Sequence, residues 1–186
     1  MVYLREIRWH GRGGQGAWTA SELLARAAIQ EGKYIQSFPE FGPERMGAPV
    51  NAFTRISDEA INLHCTIYAP DAVAVLDPTL LKTVPVTEGL KKDGVLVINT
   101  RETPAQLAKQ LNFPKEHLWT ISATDIAVEI LGRPITNTAM LGAIARAAEL
   151  VSLKSIKEAV KERFPLKIAE RNMEIVERAY NEVRSG

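Results

Sequence analysis

Apolar and polar positions along the chain switch between a β-like and a helical period, and those switches predict its elements. Residues 3–10 mix β-branched, aromatic and charged side chains ahead of a glycine cluster, which predicts a strand. Residues 17–31 then carry Leu23, Leu24, Ala27 and Ala28 at helical spacing. Gly32 fits the position just past a helix end, and residues 34–38 predict a second strand that completes a strand–helix–strand unit. Residues 39–49, with three prolines and two glycines, predict a loop. Residues 50–56 and 60–66 flank Ser57-Asp58-Glu59, which predicts a hairpin added to an otherwise parallel sheet.

Residues 72–76 and 95–98 are continuous apolar runs ended by Asp77-Pro78 and Asn99-Thr100, the pattern of central strands covered on both faces. Residues 119–121 predict one more strand. From Thr103 onward helices dominate. Thr103 caps a helix with Pro104 at its first position, Ser152 caps Leu153–Arg163, and Ala123–Leu131, residues 138–150 and residues 168–183 complete the set. With no internal repeat and no linker, the chain is expected to be a single domain over residues 1–186. Its fold class is α/β: a three-layer sandwich with a mixed, mainly parallel sheet and a helical C-terminal third that covers the sheet or meets a partner.

Composition narrows the chemistry. The 186 residues carry 23 Lys+Arg against 22 Asp+Glu, a formal charge of +1, so bulk electrostatics point to neither nucleic acid nor an anionic membrane as partner. A chain of this length buries roughly 70% of its unfolded surface and needs no disulfide or structural metal. One cysteine, Cys65, excludes an intrachain disulfide, a cysteine-rich zinc site and a four-thiolate iron–sulfur cluster built from this chain alone. The first residues lack a basic region followed by an apolar run, and residues 72–76 and 139–148 fall far short of the ~20 apolar residues of a spanning helix. The expectation is a soluble, cytoplasmic protein.

Gly11-Arg12-Gly13-Gly14-Gln15-Gly16 satisfies G-x-G-x-x-G between a predicted strand and a predicted helix, the context in which that pattern binds phosphate. The glycines permit close backbone approach, free N–H groups at the helix start attract an anion, and Arg12 adds a guanidinium suited to phosphate. The alternative is a tight turn without a ligand. A dinucleotide site also wants an acid at the end of the second strand, and Gln36-Ser37 stands there instead, so a phosphate-bearing ligand other than NAD fits better.

The segment from Phe38 to Pro49 presents Glu40, Glu44 and Arg45 on a backbone stiffened by prolines, which suits recognition; a surface loop with solvated charges is the plainer alternative. Asn99 lies just beyond a buried strand, where open α/β sheets place ligand groups, with a turn-forming asparagine as the alternative. His10, His64 and His117 show no ligand spacing, Cys65 is expected to be a buried structural thiol, Asp77 to end a strand, and Asp125 to sit near a helix N-terminus.

The glycine cluster, the Gly42-Pro43-Glu44-Arg45-Met46-Gly47 loop, Ala123-Thr124-Asp125-Ile126-Ala127 and the run from Leu131-Gly132-Arg133-Pro134 through Ile135-Thr136-Asn137-Thr138 to Ala143 together resemble the gamma subunit of 2-oxoacid:ferredoxin oxidoreductases, the pyruvate branch in particular. The resemblance spans essentially the whole chain and implies a Rossmann-like fold. It implies a subunit of a thiamine-diphosphate enzyme that decarboxylates pyruvate, passes electrons through [4Fe-4S] clusters to ferredoxin and releases acetyl-CoA. In such enzymes the thiamine diphosphate with its Mg lies on alpha and beta chains, and the clusters lie on beta and a ferredoxin-like delta chain. The gamma-type domain is associated with CoA, whose pyrophosphate and 3′-phosphate suit a loop with an arginine and no ribose acid. The resemblance carries Gly11, Arg12, Gly13, Gly14, Gln15 and Gly16 toward CoA contact, and Glu40, Glu44 and Arg45 toward ligand or subunit contact. Related chains commonly show an Arg-Gly pair where this one has Arg45-Met46-Gly47. The alternatives are a gamma subunit for a branched-chain or aryl 2-oxoacid, a nucleotide-dependent oxidoreductase acting alone, and a nucleotide- or CoA-sensing regulator.

Overall fold

The apolar runs predicted as central strands lie at the middle of a sheet in the computed structural model, which describes residues 3–40 and 46–186. Among those residues the strands are β1 (Leu4–Arg12), β2 (Tyr34–Glu40), β3 (Pro49–Ser57), β4 (Ala72–Val75), β5 (Val95–Asn99), β6 (Leu118–Ile121) and β7 (Arg184–Ser185), and their order is β2-β3-β1-β4-β5-β6-β7. Only β3 and β7 run against the rest, so the sheet is mixed and mainly parallel. β4 shows why the centre must be covered twice. Ala72 and Ala74 join the core on one face, Val73 and Val75 the core on the other, and all four are fully buried.

The helices are α1 (Ala17–Gln30), α2 (Pro104–Leu111), α3 (Ala123–Leu131), α4 (Asn137–Ala148), α5 (Leu153–Arg163) and α6 (Leu166–Glu182). α1 and α4 lie directly on one face of the sheet, and α6 packs on the outer side of α4. The predicted C-terminal third therefore covers the sheet, two helices deep. Between sheet and α6, every residue of α4 from Asn137 to Ala145 is buried, as expected for a helix without a solvent face.

That burial depends on Gly142. A Cβ built there would lie 2.3 Å from the Val176 carbonyl oxygen of α6, a backbone atom that cannot rotate away. Gly142→Ala gains about 1 kcal/mol of helix propensity but must push α4 and α6 apart, an overpacking cost near ~3 kcal/mol. We expect a net loss of about 2 kcal/mol, or a melting temperature lower by about 6 °C. A thermal melt equal to or above the parent would show that α4 and α6 separate freely.

The opposite face is covered unevenly. Over β4, β5 and β6 lies α2, whose start carries the predicted cap as a full capping box: Thr103 accepts from the Gln106 backbone while the Gln106 side chain accepts from the Thr103 N–H. Leu107 of α2 belongs to the same buried cluster as Val73, Val75, Leu96 and Ile98. Over β1, β3 and β2 no helix lies among the described residues, and the sheet points charged side chains there instead. Arg55, 1% exposed, donates to Glu6 Oε1 at 2.8 Å and Gln36 Oε1 at 3.0 Å. Arg8 Nε donates to His10 Nε2 at 3.0 Å, and Arg8 Nη2 to the Val86 and Glu88 carbonyls.

This polar face explains two departures from the sequence reading. Residues 60–66 are no strand and form no hairpin with β3. Gln36 Nε2 donates to the Ile61 and Leu63 carbonyls and Arg55 Nη2 to that of Thr66, so side chains rising from the sheet hold this segment across its face rather than along an edge. Cys65 is consequently exposed, not buried, with Arg55 Nη2 3.8 Å from its Sγ. The actual antiparallel hairpin joins β2 to β3, with Phe38 opposite Phe53. β2 runs on through Pro39, tolerated because an edge strand needs no outward N–H there.

Candidate functional site

β1 does not stop before the glycine cluster: it carries Gly11 and Arg12 as its last two residues, paired with Val50 and Pro49 of β3. The chain then turns tightly, with the Gln15 N–H donating to the Arg12 carbonyl at 2.9 Å. Gly16 enters α1 with φ +77°, a left-handed conformation that favours glycine, and a Cβ there would sit 2.6 Å from Asn137 Nδ2. The turn thus needs glycine at Gly16 on two counts, conformation and space. α1 begins without a side-chain cap and without an acid in its first turn, leaving the positive end of its dipole uncompensated.

The two loops singled out from the sequence meet. The Gly13 N–H donates to the Ala48 carbonyl at 2.9 Å, the Gly47 N–H donates to the Gly13 carbonyl at 3.1 Å, and Arg12 Nη1 reaches the Gly47 carbonyl at 3.0 Å. Glu40, at the end of β2, accepts from Asn51 Nδ2 across the hairpin. Glu44 and Arg45 lie outside the described residues.

Arg12 lies at the C-terminal end of β1, beside the end of β4, where connections leave the sheet in opposite directions. Asp77 just after β4 fixes it: Arg12 Nε is 3.1 Å from Asp77 Oδ2, and Arg12 Nη2 donates to Thr79 Oγ1 at 2.8 Å. Gln15 ties the corner together, its Oε1 accepting from the Arg12 N–H at 2.7 Å and its Nε2 donating to Asp77 Oδ2 at 2.8 Å. Burial alone would raise the Asp77 pKa, but hydrogen bonds from Thr79 and Gln15 and the Arg12 charge outweigh it and hold the carboxyl below its ordinary value. Asp77 stays ionised at neutral pH. Of the five N–H donors on a guanidinium, these contacts leave one each on Nη1 and Nη2 without a partner among the described residues. The corner is a held arginine with an unused edge.

Asp77 does end a strand, as expected, and its second role was not visible in the sequence; an acid far along the chain gives no local sign that it faces Arg12. Asn99 is brought to the same end of the sheet. It is 5% exposed, with Nδ2 donating to the Leu76 carbonyl at 2.8 Å and to Thr124 Oγ1 at 2.9 Å, and Oδ1 accepting from the Thr124 N–H. These bonds clamp α3 to β4. Asp125 sits in the first turn of α3, as expected, and pairs with Arg101. No helix among the described residues is long and apolar enough to cross a membrane.

Comparisons with known proteins are consistent across sequence and fold. The family model for pyruvate ferredoxin/flavodoxin oxidoreductase matches residues 6–182. The chain is 54% identical over 176 residues to the pyruvate/ketoisovalerate oxidoreductases common subunit gamma of Thermococcus kodakarensis, covering 95% of each. It is 53% identical to pyruvate synthase subunit PorC of Methanocaldococcus jannaschii, covering 96% of each. The crystal structure of pyruvate oxidoreductase subunit PORC from Thermotoga maritima matches with a TM-score of 0.85 at 43% identity, over 97% of both chains.

Proposed function

We infer that this chain, which belongs to the pyruvate ferredoxin/flavodoxin oxidoreductase family, is the gamma subunit of a multi-subunit pyruvate:ferredoxin oxidoreductase. The whole assembly converts pyruvate, CoA and oxidised ferredoxin to acetyl-CoA, CO2 and reduced ferredoxin. Relatives over nearly the full length bear the names of such subunits, which supports the reading. Its partners are alpha, beta and delta chains in the cytoplasm. A lone exposed thiol, Cys65, does not fit a cluster that needs four thiolates, so the [4Fe-4S] clusters belong on those partners, and the thiamine diphosphate with its Mg likewise.

Within that assembly the turn from Gly11 to Gly16 contacts CoA. The observation that carries this is the Arg12 corner. Asp77 and Gln15 orient a guanidinium with two spare N–H donors at the C-terminal end of the sheet, at the head of the glycine turn that leads into the uncapped α1, and such a pairing of turn and arginine suits a phosphate. In the assembled enzyme, Arg12→Ala is expected to raise the apparent KM for CoA about tenfold, the worth of one charge-assisted hydrogen bond. CoA-independent pyruvate decarboxylation should stay largely intact. An unchanged CoA dependence removes the assignment of this loop, and failure of the chain to co-purify with cluster-bearing partners removes the subunit reading itself.

A further inference from the structure

The Arg12 corner makes no use of the stretch from Gly132 to Thr138, although the family resemblance is dense there. That stretch lines a cavity of about 470 Å³, formed where the connection from α3 to α4 faces the start of α1 and the joint between α5 and α6. None of its lining residues belongs to the Arg12–Asp77 network. Three arginines from three different segments converge on it: Arg133 before α4, Arg163 at the end of α5 and Arg171 in α6.

Their convergence without an acid is the first feature. Arg133, Arg163 and Arg171 form no ion pair among the described residues, and no described acid lines the cavity that brings them together. Three positive charges around one unneutralised hollow repel one another unless an anion enters.

Asn137 supplies the second, independent feature. It is only 6% exposed, yet it lines the cavity. Its Oδ1 accepts from the Thr138 N–H at 2.9 Å, which identifies Nδ2 as the end of the amide that donates. Nδ2 lies close to Gly16, which ties the start of α4 to the start of α1. Ile135 and Ile168 flank the charges, 44% and 47% exposed.

We propose that this cavity is a second anion site, which takes the phosphate-bearing end of a small organic ligand. Phosphoryl oxygens accept from Asn137 Nδ2 and from the guanidinium groups of Arg133, Arg163 and Arg171, and an apolar portion of the ligand lies along Ile135 and Ile168. The assignment stands apart from the CoA reading of the Arg12 corner, because it rests on different residues.

Calorimetric titration of the full-length Arg12→Ala chain with inorganic pyrophosphate tests it, because that background disables the corner assigned to the CoA phosphates. The Arg12→Ala chain is expected to bind, and adding Arg133→Gln and Arg171→Gln to weaken binding at least about tenfold with an unchanged melting temperature, since both added positions are exposed. No binding by the Arg12→Ala chain, or equal affinity after the two further substitutions, overturns the site. If the isolated Arg12→Ala chain does not bind and the two further substitutions instead stop the chain joining its partner chains, the arginines serve a subunit interface and the proposal falls as well.

Discussion

Arg55→Met is expected to cost the fold about 3 kcal/mol, the lower end of what breaking a buried ion pair costs, because the remaining carboxylate is only partly shielded. Arg55 is 1% exposed and Glu6 keeps 15% of its side-chain surface. Removing the guanidinium strips Glu6 of its counter-charge, Gln36 Oε1 of its donor, and the Thr66 carbonyl of the bond that holds residues 60–66 on the sheet. Chemical denaturation should show the loss directly. The double variant Glu6→Leu, Arg55→Met should recover much of it, because no uncompensated buried charge remains. If the single variant is as stable as the parent, the pair contributes nothing and the segment is held by other contacts.

A second large effect is expected from acid. Burial, reinforced by the neighbouring Arg8 charge, pulls the pKa of His10 from 6.5 down to about 4. Accepting from Arg8 Nε at 3.0 Å also requires an unprotonated Nε2. Below pH 6.5 the unfolded chain takes up a proton here that the folded chain refuses until about pH 4. The folded state therefore has its full stability above pH 6.5 and loses it progressively as pH falls toward 4, by about 3 kcal/mol at 1.36 kcal/mol per pKa unit. His10→Gln keeps an acceptor for Arg8 and does not titrate, so its stability should change less between pH 7 and pH 4. Parallel pH profiles for parent and variant would show that His10 is not the group responsible.

Much of the fold is legible in the sequence where one local rule acts alone. Residues 72–76 and 95–98 are apolar throughout and became β4 and β5; Thr103 and Ser152 cap helices because a side-chain oxygen meets a backbone N–H a few residues on. Residues 60–66 misled because their composition suits a strand, while their backbone partners are the Gln36 and Arg55 side chains, which no periodicity reveals. The site shows the same division. The glycine turn announces itself by spacing, and the contact of its two loops follows from the pairing of β1 with β3. Asp77, Thr79 and Asn137 carry no such mark, since their roles depend on elements that come together only in the folded sheet.

The two rims of the sheet limit how this chain can join others. Along β2 the row of backbone groups is interrupted at Pro39, which has no N–H to offer, and the opposite rim is only the two residues of β7. Neither presents a long uninterrupted template on which a strand from another molecule could continue the ladder. Backbone pairing along these rims is thus confined to short stretches, Tyr34–Phe38 on one side and the two residues of β7 on the other, which shifts the specificity of assembly toward the shape and charge of side-chain surfaces.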